Sequence, residues 1–147
     1  MNAPNDSSLL SSYVSEQRLW TLLTDFAVYG ATEKGGVNRQ ALSKEDVAAK
    51  LHVVRWAEER GFTSFQDNIG NLFVRRDGTE ATLEPVMTGS HLDSQPTGGR
   101  FDGAFGVLAG LEVLNALNDA TIQTRRPIEV VAWTNEEGSR FSPGAMG

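Results

Sequence analysis

An α/β fold with a mixed sheet is what this sequence predicts, on three observations. Two short runs of strand-forming residues flank Asp67-Asn68-Ile69-Gly70, an almost wholly apolar helix lies at 103–117, and strand-like runs sit on either side of that helix, at 85–88 and 127–134. A hairpin makes antiparallel neighbours, whereas two strands joined through a helix pair in parallel with a right-handed crossover, so both orientations are expected in one sheet.

The elements follow in chain order. Residues 1–14 read as a polar, flexible arm. Leu19, Trp20, Leu22, Leu23, Phe26 and Ala27 recur at helical spacing, and Gly30 is a C-terminal stop. Gly35-Gly36-Val37-Asn38-Arg39 is a loop. Ser43 with Asp46 three residues on resembles a capping box and opens a second helix over 44–60, with Val47, Leu51, Val54 and Ala57 on one face and Gly61 beyond its end. The runs 62–66 and 71–76 form the hairpin, and Asp77-Gly78 turns the chain out of it. The helix at 103–117 is interrupted mainly by Glu112 and Asn115, so it packs between layers. The unbroken apolar run Val130 to Trp133 fits a strand covered on both faces.

Length and composition narrow the function classes. A chain of 147 residues, 39% hydrophobic and 22% charged, suits one soluble domain. The net charge of -6 opposes binding to nucleic acid or anionic membranes. No apolar stretch is long enough to span a bilayer. With no cysteine, any metal must be held by imidazole and carboxylate, and a reducing cytoplasm is the expected location.

Three clusters then share one edge of the βαβ unit. His91 and Asp93 follow its first strand, Asp102-Gly103 opens the helix, and Glu136-Glu137 follow its second strand. In an open α/β sheet the loops after parallel strands and the N-terminus of the intervening helix face the ligand-binding edge. Imidazole nitrogen and carboxylate oxygen are ligands for zinc. Asp93, two residues from His91, is placed to accept a hydrogen bond from the imidazole nitrogen that does not face the metal. Asp102 has two oxygens with which to bridge two cations about 3.5–4 Å apart, and such a pair polarises a carbonyl and acidifies water. One of the paired glutamates is then a ligand and the other a general base. Taken singly, a His-x-Asp, an Asp-Gly or a Glu pair is ordinary surface chemistry, and only their convergence argues for a site. His52, on the second helix, is expected to be structural or solvent-facing.

The run Gly89-Ser90-His91-Leu92-Asp93-Ser94-Gln95-Pro96-Thr97-Gly98-Gly99-Arg100-Phe101-Asp102-Gly103-Ala104, with Trp133-Thr134-Asn135-Glu136-Glu137-Gly138-Ser139-Arg140-Phe141, closely resembles the carbamoylase branch of the zinc-dependent aminoacylase and carboxypeptidase family. That branch holds N-carbamoyl-L-amino-acid hydrolases, beta-ureidopropionases and allantoate amidohydrolases. The resemblance reaches upstream through Gly35-Gly36-Val37 and Gly70-Asn71. It implies that His91 ligates one metal, Asp102 bridges both, Glu137 ligates the other, Glu136 is the general base and Asp93 supports His91.

Two divalent ions are implied, with zinc foremost and manganese, nickel or cobalt tolerated by the same ligands. The implied substrate is a small ureido or amide compound, and the implied parent is a homodimer. Phe101 departs from the Tyr of many relatives at this place. Family members also continue into two further histidine ligands and a lid and dimerisation domain. Residues 1–147 are therefore expected to be the N-terminal portion of a catalytic domain, inactive alone. A dipeptidase or aminoacylase of the same family, and a non-catalytic truncated module, are the rival readings.

Overall fold

A computed structural model describes residues 10–147. Its elements are helix α1 (Glu16–Phe26), helix α2 (Lys44–Glu58), strands β1 (Thr63–Gln66), β2 (Leu72–Arg76) and β3 (Val86–His91), helix α3 (Ala104–Asp119) and strand β4 (Ile128–Trp133). Most of the expected arm, residues 1–9, lies outside the described residues. Within its remainder, Ser11–Tyr13 form a 3-10 turn that touches α3.

The four strands run in the order β1-β2-β4-β3. β1 and β2 form the antiparallel hairpin, β2 pairs antiparallel with β4, and β3 pairs parallel with β4 through α3. The sheet is therefore mixed, and its parallel part is the βαβ unit. β3 runs three residues beyond the expected Thr88, so His91 is the last residue of the strand and pairs in register with Trp133.

One core joins the sheet to the helices. Leu72 opposite Ala132 and Val74 opposite Val130 turn the same way. They meet Val107, Leu108, Leu111 and Leu114 of α3 together with Leu23, Phe26, Ala49, Val53 and Trp56 of the other two helices. Glycines let α3 sit close to the strands, since a Cβ on Gly110 would come within 3.0 Å of the Val130 methyls. α1 covers the far side of α3, which is why a helix of such apolar character is buried nearly all round.

The second helix corrects the expected packing. Its buried residues are Asp46, Ala49, Lys50, Val53, Trp56 and Ala57, while Val47 and Leu51 stand half exposed. The side chains at 49, 53, 56 and 57 also follow helical spacing, and the Trp56 ring stacks at 5.9 Å on Phe62 below it. Burying the largest ring decides the rotation of the helix. The cost is a buried Asp46 and Lys50, 3.8 Å apart one turn from each other.

Glu112, buried within α3, is held by Arg18 of α1 through two bonds of 2.6 and 2.7 Å and by the Ser15 N–H at 2.8 Å. Removing the guanidinium would strand a buried carboxylate. Arg18→Met is expected to destabilise the chain by ~3 kcal/mol, the low end for a broken buried pair because Arg18 is partly exposed, and Arg18→Met with Glu112→Leu should recover most of the loss. Urea denaturation of the single and double variants checks this.

Candidate metal centre

The cluster is built at the C-terminal ends of β3 and β4 and the N-terminus of α3. His91 closes β3 with its side chain buried, and its Nδ1 lies 2.9 Å from the backbone oxygen of Asp93. A carbonyl can only accept, so Nδ1 carries a proton, and in the neutral ring the lone pair is left on Nε2, which faces outward. Around that lone pair stand Glu136 Oε2 at 3.4 Å and Asp102 Oδ1 at 3.9 Å. These are donor types that a divalent cation draws together.

The donor set is of the chemical kind a divalent ion takes. It combines an imidazole of fixed tautomer with carboxylates from two other elements, the ligand types zinc takes. Asp102 is largely exposed and receives no hydrogen bond from any described side chain, which leaves its oxygens available. Among the described residues, no three of these side chains stand close enough to close on one ion. Space for the ring comes from Gly103. A Cβ there would lie 2.5 Å from both imidazole nitrogens, and its φ of +64° is one that other residues rarely adopt.

Asp93 holds the cluster in a different way from the one expected. Its backbone oxygen, not its carboxylate, takes the imidazole N–H. The carboxylate, 3.7 Å from Nδ1, accepts the backbone N–H groups of Glu136 and Glu137, each at 3.2 Å. Two successive peptide N–H groups offer a carboxylate a better-matched pair of donors than one ring nitrogen already satisfied by a carbonyl. Asp93 thus ties the loop after β3 to the loop after β4.

The paired glutamates diverge. Glu136 faces His91, while the Glu137 carboxylate accepts a 2.8 Å bond from the Gln95 side chain. Asn135, at φ +55°, makes the sharp bend that leads from β4 into the pair, a conformation Asn tolerates better than most residues. Its amide is fixed by the Phe141 and Pro143 carbonyls. Thr134 just before it is held by Asn71 Oδ1 at 2.8 Å and by the buried Lys50 amine at 3.0 Å.

Asn71 and Gln95 fall within the resembling segments without a role there, and Lys50 carries no sequence mark at all. Nothing in their spacing marks them, because each reaches the cluster across a turn or a sheet edge.

Phe101 packs at 5.8 Å from the Trp20 ring, on the α1 side. His52 lies outside the cluster, 3.0 Å from the Tyr29 hydroxyl, with burial pushing its pKa down. A cleft of about 570 Å³ between α1 and α2 includes His52, Arg55 and Trp56 and shares no residue with the cluster.

Comparison with known proteins places these features in a family. Residues 71–145 match peptidase family M28. The N-carbamoyl-L-amino-acid amidohydrolase of Rhizobium meliloti is 46% identical over 133 residues, which cover 90% of this chain and 32% of that protein. The allantoate amidohydrolase of Bacillus subtilis is 39% identical over 123 residues, covering 81% of this chain and 30% of that one. A hydantoinase/carbamoylase family amidase from Burkholderia multivorans has the same fold, with a TM-score of 0.88 and 59% identity over 89% of this chain and 32% of its own. The chain thus spans about a third of the length of these relatives.

Proposed function

Since this chain belongs to peptidase family M28, we propose that it forms the metal-holding rim of a hydrolase of linear C–N bonds, with N-carbamoyl amino acids as the substrate class. The observation that carries the reading is the meeting of the His91 lone pair with Asp102 and Glu136 at the end of the parallel strand pair. Family membership brings dependence on a divalent metal. The number and kind are part of the proposal: two ions, zinc foremost and manganese, nickel or cobalt as substitutes, with His91 and Glu137 as ligands and Asp102 as the bridge. The 147 residues are then the N-terminal portion of the catalytic domain of a cytoplasmic homodimer, whose lid and dimerisation domain lie outside them. Among the described residues no helix is long and apolar enough to cross a membrane.

When bound, such ions polarise the scissile carbonyl and lower the pKa of water. The chain's own residues supply the proton traffic and the alignment. Glu136 takes a proton from the attacking water as its oxygen bonds to the carbonyl carbon, and returns that proton to the amino-acid nitrogen as the C–N bond breaks. The products are a free amino acid and carbamate. Asp93 orients both glutamates through their backbone N–H groups and fixes the His91 tautomer through its own carbonyl. Neither act requires Asp93 to touch substrate.

A panel of N-carbamoyl amino acids, allantoate, ureidoglycolate, N-acyl amino acids and dipeptides, offered to the whole hydrolase before and after chelation, tests the reading. N-carbamoyl amino acids should turn over fastest, chelation should abolish turnover, and added zinc or manganese should restore it. Faster release from allantoate would favour the activity named for the Bacillus subtilis relative. Faster dipeptide cleavage would move the protein to the peptidase side of the family, and no turnover of any compound would leave a non-catalytic module. The isolated 147 residues are expected to bind metal below stoichiometry and to turn over nothing.

A further inference from the structure

We propose that Arg39 is a positioning residue of this centre, setting the peptide between Leu92 and Asp93 and, through it, both the tautomer of His91 and the placement of the Glu136-Glu137 turn. The role rests on the reading of His91 and the glutamates as the working groups of the site.

Arg39 precedes α2 and is 1% exposed, the bulkiest of the fully buried side chains. Its guanidinium lies 4.7 Å over the Phe26 ring. Its acceptors are all backbone carbonyls: Leu92 at 2.6 Å from Nε, and Tyr29 at 2.8 Å and Phe26 at 3.4 Å from Nη1. Burial drives its pKa down to about 10, against the opposing pull of Asp46 and Asp93. A buried cation without a bonded carboxylate is expensive, and a fold that needed only a tie between α1 and a loop could make it with a neutral amide.

What distinguishes this cation is the segment it holds. The Arg39 N–H donates to Ser94 Oγ and the Ser94 N–H donates to the Arg39 carbonyl, each at 2.9 Å, so Arg39 grips the chain on both sides of Asp93. Between those grips lie the Asp93 carbonyl that fixes His91 and the Asp93 carboxylate that holds the two glutamate N–H groups. If the Leu92 carbonyl is released, the Leu92–Asp93 peptide can rotate. Both Asp93 contacts then move together.

The chain has two histidines, so a His52→Gln background leaves His91 as the one imidazole, whose Nδ1 and Nε2 signals nitrogen NMR resolves. In that background the full chain should show the Nδ1–H tautomer. Arg39→Met, which keeps the stem and loses the charge, should shift the population toward the Nε2–H form, and Arg39→Lys should lie between. Near-UV circular dichroism identifies the folded variants, and the Lys variant decides the matter if the Met variant does not fold. A folded variant that kept the unaltered Nδ1–H tautomer would overturn the proposal.

Zinc titration of the whole hydrolase and of its Arg39 variants separates this inference from the reading beneath it. Affinity should fall about 10–100-fold in Arg39→Met. If the whole hydrolase itself binds no zinc, the metal-centre reading falls, while the tautomer readout in the 147-residue chain still judges Arg39 by itself.

Discussion

Replacing Glu136 by Gln in the whole hydrolase is expected to leave metal content unchanged and to lower kcat by about 10²–10⁴-fold, the range that positioned general-base catalysis supplies. Glu137→Gln should do the opposite first: metal content falls, and the loss of kcat is partly reversed by excess zinc. The amide keeps the shape of the carboxylate but cannot take a proton at neutral pH, and as a ligand it offers a neutral oxygen in place of an anion.

The pair of variants is needed because the two carboxylates have different surroundings. Glu136 stands 3.4 Å from the His91 lone pair, while Glu137 is engaged by Gln95. Should Glu136→Gln strip the metal and Glu137→Gln keep it while losing turnover, the two roles are exchanged. Metal analysis of the purified variants beside their steady-state kinetics decides between the assignments.

The parts of the fold that could be read from the sequence are those in which one residue property repeats along an element. The parallel pair around α3 follows from the unbroken apolar run at 130–133 and a helix apolar on nearly every side, because only burial on both faces accommodates such segments. Topology then brings residues 91, 102 and 136 to one edge without any knowledge of side-chain contacts. Where two stripes compete, as on α2, a pattern of aliphatic residues misleads. Val47 and Leu51 look like the core face, yet Trp56 with Ala49 and Val53 takes it, and the Asp46–Lys50 pair within that face disguises it as solvent-exposed.

Least legible are contacts made by backbone atoms. Asp93 was expected beside His91, and it is there, but which of its oxygens serves the ring depends on a peptide orientation that residue identity does not encode. Arg39 and Lys50 belong to the same class. Each is a cation far in sequence from the loop it holds: the Arg39 side chain bonds carbonyls alone, and Lys50 bonds the Gly70 carbonyl and the Thr134 hydroxyl, acceptors that carry no sequence mark.

Gly103→Ala is expected to lower stability by about 2–4 kcal/mol, from a disfavoured backbone conformation together with overpacking against a buried ring. It should also weaken zinc binding by about 10–100-fold, as displacements of oriented ligands do. The imidazole of His91 lies flat against Gly103, so a methyl group would meet both ring nitrogens at 2.5 Å. The ring cannot tilt away and keep its bond to the Asp93 carbonyl. Nor can the backbone relax freely, because Gly103 caps α3 and Ala104 behind it is buried.

Gly35→Ala separates the two contributions. Its φ is +80° but its Cβ would meet nothing within 4 Å, so it should cost ~1 kcal/mol of backbone strain and leave zinc affinity unaltered. Urea denaturation and zinc titration of the two variants side by side provide the test. Equal losses of stability, with zinc affinity preserved in Gly103→Ala, would mean that the glycine serves the helix start alone and that the closeness of the ring has no part in holding the metal.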